Sequence, residues 1–474
     1  MTEHIHFIGI KGVGMSALAI VAKGLGYTVT GSDVAERFRT DDSLRDTGIT
    51  PTVFDATNIT DSIDRIVIGA AYGDDNPELK EAKRQNIPIL TYSQFLNELS
   101  KQKKTLVITG THGKTTTTSL TTYLLRQAGK DPSWIVGTTE ISGLPSHGGA
   151  GQGDYFVVEG DEYKRAANDL TPKFLDLTPH AVIINNIEHD HPDVYPTFDN
   201  FIDAFRRLIQ HVPDNHTVIC NGDDATIQDL MREIPGKAYC TYGYKTTNNY
   251  HIQPLASHTS QHQQFQLQHG DDILGPFALQ LQGQHNVYNA TAAIVMNLTI
   301  GVGEDDIIHA LPNFQTVERR FQTIGQYGGV TIIDDFAHHP TAVRMTLETA
   351  KKIYPHRPLW CLFQAHTYSR TKALLPEFSQ AFSAADTVVI TDIFASAREK
   401  EVSITAQELS QAIQQHHTST HYVPVPELID YLKASIPHNA VLITMGASDI
   451  YKVGKSLIDL NAEKTTESPS SKEN

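Results

Sequence analysis

Lys114 and Thr115 follow directly on Gly110-Thr111-His112-Gly113, within the run Lys104-Thr-Leu-Val-Ile-Thr-Gly-Thr-His-Gly-Lys-Thr-Thr116. Leu106, Val107 and Ile108 read as a buried strand. Leu120, Tyr123, Leu124 and Ala128 recur at i, i+3, i+4 and i+8, so the spacing predicts a helix that Gly129 closes. A strand, a glycine turn and a helix N-terminus in succession aim backbone N–H groups and a positive dipole end at an anion. From that frame the Lys114 ammonium reaches β/γ-phosphates and the Thr115 hydroxyl suits Mg²⁺. The spacing G-x-x-G-K-T is shorter than the usual G-x-x-x-x-G-K-[ST], with Ile108 where the first glycine would stand. An ordinary strand-to-helix turn also uses glycine, but it gives Lys-Thr no packing purpose. The stretch reads as a nucleotide site.

Other residues with chemical potential lie at the ends of apolar runs. Tyr155–Glu159 ends in a carboxylate and runs into Gly160-Asp-Glu162; Ala181–Asn185 runs into Asn186-Ile-Glu-His-Asp-His191. Ligands of parallel α/β sheets gather at the carboxyl ends of strands. Thr115 and Glu159 therefore suit one Mg²⁺ on ATP phosphates, and His191 a second, with zinc as the alternative for the His/Asp cluster. Gly12 and Gly14 belong to a G-x-G-x-x-A turn with Asp33 about 20 residues on, a dinucleotide fingerprint that equally serves another diphosphate. Asn286 and Asn289 share a helical face and could meet a purine edge, or merely cap and turn the chain. Arg370 has the planar fork that suits a carboxylate.

These residues need α/β elements to position them. Strand and helix patterns alternate through residues 4–100, again from 105, and again from 323, which predicts three α/β domains with doubly wound sheets. Boundaries are expected at 1–101, 102–322 and 323–462, with a disordered tail over 463–474. The polar stretch 211–284 reads as β-hairpins decorating the middle domain. The 474 residues exceed one ordinary core. With 38 basic and 54 acidic side chains, the net charge of −16 argues against nucleic acid. Cys220, Cys240 and Cys361 lack metal-ligand spacing and read as free thiols in a reducing cytoplasm. No run is apolar enough to insert in a membrane, and no signal-peptide pattern opens the chain.

Taken together, Gly110–Thr116, Glu159–Glu162, Asn186–His191, His285–Asn289, Asp335-Phe-Ala-His-His-Pro340 and His366-Thr-Tyr-Ser-Arg370 resemble the Mur ligases of bacterial peptidoglycan synthesis. The resemblance covers the chain from Gly9 to Lys452. It implies a Rossmann-like UDP-sugar domain, a central ATPase-like domain with added hairpins, and a Rossmann-like amino-acid domain. It further implies ATP and Mg²⁺, with UDP-N-acetylmuramate and either L-alanine or a short peptide as partners. Gly12, Gly14, Met15, Ser32 and Asp33 would then meet the UDP-sugar rather than NAD. Gly110 to Thr116, Asn286, Asn289, Arg320, Asp335 and His338 would meet ATP, with Thr115, Glu159 and His191 on metal and Lys114 and Arg370 in catalysis. Lys11 replaces a usual glycine and adds charge near the diphosphate. Glu159–Tyr163, the segment up to Pro179 and Asp335–Thr341 look more like peptide-adding members, whereas the Gly9–Met15 turn, Tyr368–Thr371 and Met445–Ile450 look like alanine-adding ones, so L-alanine is the expected amine and a recycled peptide the alternative. A nicotinamide oxidoreductase would leave the phosphate loop idle, and a regulatory ATPase would leave three ligand-facing edges unexplained.

Overall fold

The computed structural model describes residues 2–166, 169–256, 262–315, 317–395, 399 and 402–466, with side chains only as far as 460. By contact the chain forms two compact units. One comprises Met1–His189 with Val194–Glu318, the other Asp190–Asp193 with Arg319–Asn474.

The first unit holds two large sheets. Strands β1 (His4–Ile8), β2 (Thr28–Asp33), β3 (Thr52–Val53), β4 (Arg65–Ile68) and β5 (Ile89–Thr91) form a parallel sheet in the order β3-β2-β1-β4-β5. Helix α1 (Val13–Gly24) crosses over from β1 and buries Met15 to Ala22. The second sheet begins with β6 (Lys104–Thr109), β7 (Ser133–Ile135), β8 (Gly148–Gly149) and β9 (Tyr155–Glu159). After a small hairpin of β10 (Lys164–Ala166) and β11 (Asp169–Pro172) it resumes with β12 (Ala181–Ile184), β13 (Thr217–Asn221) and β14 (Ala238–Gly243). It ends with β15 (Tyr250–Leu255), β16 (Gln263–His269) and β17 (Asp272–Leu279). The order β17-β16-β15-β14-β13-β12-β6-β9-β7-β8 puts β6 at the centre, parallel to both neighbours. One buried cluster runs from Phe7 of the first sheet and Phe95 of the helix Tyr92–Ser100 to Phe156, Phe174 and Phe205 around the second. That shared core is why two sheets make one unit.

The hairpin reading of residues 211–284 holds for its later part, where β16 and β17 pair antiparallel, and fails for the earlier part. Strands β12, β13 and β14 are parallel, joined through helices Phe198–His211 and Ala225–Glu233, and only β15 to β17 form an antiparallel meander. The meander continues the main sheet instead of decorating it. Its alternating Phe265, Leu267 and Phe277 are buried together with Ile252, while Gln and His line the other face.

In the second unit β18 (Gln322–Tyr327), β19 (Val330–Asp335), β20 (Leu359–Phe363), β21 (Thr387–Ile390), β22 (Thr420–Tyr422) and β23 (Val441–Met445) give the order β18-β19-β23-β20-β21-β22. Only β18 is antiparallel. The final helix, Tyr451–Thr466, continues through 463–466, which were expected to begin the tail; 467–474 lie outside the described residues. Among the described residues no helix is long and apolar enough to cross a membrane. Cys220 and Cys361 are buried and Cys240 is half-buried, all as free thiols.

Candidate active site

The phosphate loop sits where the central strands end in register, with Ile108 opposite Glu159 and Thr109 opposite Ile184. The helix Lys114–Gln127 starts at Gly113, whose φ of +79° is the left-handed value that glycine accepts without strain. It stops at Ala128, with Gly129 at φ +70° behind it. The loop is tied to the segment after β12. Thr111 Oγ1 accepts from Glu188 N at 2.8 Å, and His112 N donates to Asn186 Oδ1 at 2.7 Å.

Thr115 is buried, and its hydroxyl donates to Glu159 Oε1 at 3.0 Å. The other carboxylate oxygen of Glu159 accepts from Gly137 N at 2.8 Å. A hydroxyl and a carboxylate at this spacing are hard oxygen donors that fit Mg²⁺. Lys114 Nζ donates to Gly110 O at 2.7 Å and to Glu162 Oε1 at 2.8 Å. Burial alone would depress this ammonium, but Glu162, then Glu159 and Asp161, outweigh it and its pKa is raised. Lys114 therefore stays charged, as phosphate neutralisation requires.

Asn286 and Asn289 lie inside the helix Gln284–Thr299, whose N-cap is Gly283, so the capping alternative does not hold for them. Asn289 Nδ2 donates to Asn286 Oδ1 at 3.2 Å. Its Oδ1 stands 2.1 Å from where a Cβ on Gly113 would lie, so the pair borders the phosphate loop directly. Asn185, between them and His112, donates to Thr117 Oγ1 at 3.0 Å and accepts from Tyr242 at 3.2 Å.

At the first sheet, Gly9 at φ +83° leaves room for the Tyr72 ring, and the Gly12–Gly14 backbone opens α1. Ser32 and Asp33 are almost fully buried and serve this turn. The Ser32 hydroxyl donates to Glu78, and its carbonyl accepts from Gly9 N and Ile10 N. Asp33 accepts from Lys11 N at 2.7 Å and from Tyr72 Oη at 2.6 Å. Lys11, expected to add charge beside a diphosphate, is buried instead and donates to the carbonyls of Val34 and Glu36. Met15 is buried under the same turn.

In the second unit the ends of β19, β23 and β20 are aligned, with Asp335 and Phe363 both opposite Met445. Arg370 is buried; its Nε donates to Asp190 Oδ1 at 2.7 Å and its Nη1 to His366 O at 2.7 Å. Burial opposes ionisation of Asp190, yet the charges of His191, Arg370 and His338 hold its carboxyl well below the usual range. His191, in the same unit, adopts φ +54°. Burial and Arg370 push His338 well down, and its Nδ1 lies 2.8 Å from Phe336 O. Asp335 is raised by burial, with Arg320 pulling the other way, and accepts from Phe321 N and Ala337 N. Arg320 lies over the Phe336 ring at 5.2 Å, and Arg319 is its neighbour there. Arg319 pairs with Asp334 at 2.8 Å and lies between the Phe336 and Tyr451 rings.

The structure thus brings Lys114, Thr115, Glu159, Asn286 and Asn289 together in the first unit, and His191, His338 and Arg370 in the second. It adds Glu162, Asp190 and Asn185, which lie within the same motifs and hold Lys114, Arg370 and Thr117.

Three family models match in succession: "Mur ligase family, catalytic domain" over residues 4–104, "Mur ligase middle domain" over 108–297 and "Mur ligase, glutamate ligase domain" over 319–448. A UDP-N-acetylmuramate–L-alanine ligase from Desulfitobacterium hafniense is 41% identical over 97% of this chain and all of its own. One from Anaeromyxobacter is 38% identical over 96% of this chain and 97% of its own. Among solved structures, the UDP-N-acetylmuramate–alanine ligase MurC of Thermotoga maritima is similar with TM-score 0.79 at 26% identity, covering 97% of this chain and 99% of that one. A murein peptide ligase from Psychrobacter arcticus shares the fold with TM-score 0.72 at 24% identity, over 96% of this chain and 98% of that one.

Proposed function

This chain belongs to the Mur ligase family, and from that premise we propose that it joins L-alanine to UDP-N-acetylmuramate in an ATP-driven amide-forming step of peptidoglycan synthesis. Full-length relatives carrying that activity in their names support the choice of L-alanine over a peptide. The observation that carries the chemistry is Thr115 on Glu159 at 3.0 Å, one residue from a charged Lys114, at the carboxyl edge of a parallel sheet.

In this reading the muramoyl carboxylate attacks the γ-phosphorus in line and ADP leaves. The amine then attacks the resulting acyl phosphate, and inorganic phosphate departs from the tetrahedral intermediate. Phosphoryl transfer asks a protein mainly for position and charge neutralisation. Lys114 supplies a positive charge beside the β/γ-phosphates, exchanging Glu162 for them. The N–H groups of Gly110 to Thr116 cradle the same oxygens. Thr115 and Glu159 would hold one Mg²⁺, which when bound neutralises phosphate charge, and His191 is assigned to a second. Asn286 and Asn289 offer amides to adenine, while Arg320, Asp335 and His338 serve ribose and phosphate. The Gly12–Gly14 backbone receives the UDP diphosphate on a turn that Ser32 and Asp33 brace, with Met15 beneath. Arg370 presents Nη2 to the amino-acid carboxylate, its Nε and Nη1 being committed to Asp190 and His366. We assign these roles to domains 1–101, 102–322 and 323–462.

The test is a competition between amines. With ATP, Mg²⁺ and UDP-N-acetylmuramate present, L-alanine and a murein tripeptide are offered together and products are resolved by mass. The alanyl product should dominate. A dominant tripeptide adduct would move the chain to the peptide-adding branch, and phosphate release without either adduct would defeat the ligase reading.

A further inference from the structure

His147 is fully buried on the hairpin between β7 and β8, outside every role assigned above. Its Nε2 lies 2.8 Å from Oγ of Ser16, in the first turn of α1. That hydroxyl also lies 3.0 Å from the carbonyls of Gly12 and Val13, so its one proton points into the helix. It must then accept from an Nε2–H. Nδ1 is left as a bare lone pair, buried and without a hydrogen-bond partner among the described residues. The opposite tautomer would bury an unpaired N–H, a rarer and costlier arrangement. Burial pushes the imidazole down to about 4, which keeps the ring neutral near neutral pH.

We propose that His147 is a positioning residue for the sugar nucleotide: by donating to Ser16 it fixes the Gly12–Gly14 turn relative to the sheet that carries the phosphate loop. The packing around it leaves little play. A Cβ on Gly148 would stand 2.4 Å from the Ala17 carbonyl oxygen, and one on Gly24 would stand 2.8 Å from Ala150 Cβ. The His147 carbonyl accepts from Val136 N at 2.8 Å, and the next residue, Gly137, donates to Glu159. Glu159 in turn accepts from Thr115. A few residues of hairpin therefore connect the diphosphate turn to the phosphate loop within one unit. In-line attack is sensitive to such spacing, since misplacing reactants by about 1 Å can cost about 10²-fold.

The inference rests on the ligase reading, because it takes the Gly12–Gly14 turn as the UDP-sugar site. The test compares steady-state constants of the native protein with H147L, H147Q and S16A. In H147L and S16A, KM for UDP-N-acetylmuramate should rise about tenfold, the scale of one lost hydrogen bond, while KM for ATP stays within about twofold. In H147Q, whose side-chain amide can donate to the same hydroxyl, KM should return to within about threefold of native. Equal shifts in both KM values with a lowered Tm would show a merely structural residue and overturn the proposal, as would H147Q behaving like H147L. Should H147L fail to fold, S16A carries the same prediction. If native protein forms no product, the ligase reading fails by itself, and calorimetric titration of UDP-N-acetylmuramate into native and S16A protein still decides the positioning role.

Discussion

Lys114 and Arg370 are each held by a buried acid, but the two pairs serve different ends. The Lys114–Glu162 pair keeps an ammonium charged at the mouth of a phosphate loop. Removing that charge withdraws stabilisation from the migrating phosphoryl group, so Lys114→Ala should cut ADP formation by about 10²–10³-fold, the scale of losing one such electrostatic contact. A coupled ADP assay showing more than about a tenth of native turnover would contradict the assignment. The Arg370–Asp190 pair, with both side chains buried, is a stability element as well. Asp190→Ala strands a buried guanidinium and should destabilise the second unit by about 3–5 kcal/mol in urea titration. The sign with pH follows from the depressed carboxyl. Its contribution is intact above the unfolded pKa of about 4 and is lost only as pH falls through the lower folded value. Lys114, Thr115 and Glu159 were legible because their spacing is local to a strand, a turn and a helix. Asp190 was not, because its partner lies 180 residues away, and Ser16 and His147 are 131 apart. Ser32 and Asp33 were legible as residues of the first turn, but not that their side chains point inward to brace it.

At the scale of elements, two close approaches hold the site. The phosphate loop meets the asparagine helix at Gly113, where φ is +79° and a Cβ would stand 2.1 Å from Asn289 Oδ1. Gly113→Ala should therefore raise KM for ATP at least about tenfold, with about 1–3 kcal/mol lost to overpacking; an unchanged KM would show that the loop can relax. Helix α1 meets β8 around neutral His147, whose folded pKa of about 4 lies below its ordinary 6.5. Between those values the unfolded chain binds the extra proton, so stability falls as pH drops below about 6.5 and levels off near 4, by on the order of 3 kcal/mol. Urea midpoints measured from pH 7.5 to 4 should show that decline, and H147Q should make it shallower, leaving the part that the buried His338 and His366 contribute. The strands were legible wherever an apolar run ends in polar residues, as at Glu159 and Asp335. The meander of β15 to β17 was not, since a one-sided strand with Gln and His outside carries too few apolar residues to separate an added hairpin from the edge of a main sheet.

For the molecule as a whole, the three sheets each end in chemistry suited to a different reactant: a diphosphate turn, a phosphate loop, and an arginine beside two histidines. The α/β class was legible from the repeated strand–helix alternation. That the first two sheets share one core was not, because Phe7 and Phe205 reveal nothing of each other in sequence. The three chemistries work in sequence if ATP activates the sugar-borne carboxylate before the amine attacks, and that order is open to direct measurement. It is tested most directly by turnover with UDP-N-acetylmuramate labelled with ¹⁸O in that carboxylate, together with ATP and L-alanine, and mass analysis of both products. The alanyl amide should have lost one labelled oxygen and inorganic phosphate should have gained it. Unlabelled phosphate, or phosphate formed without amide, would contradict it.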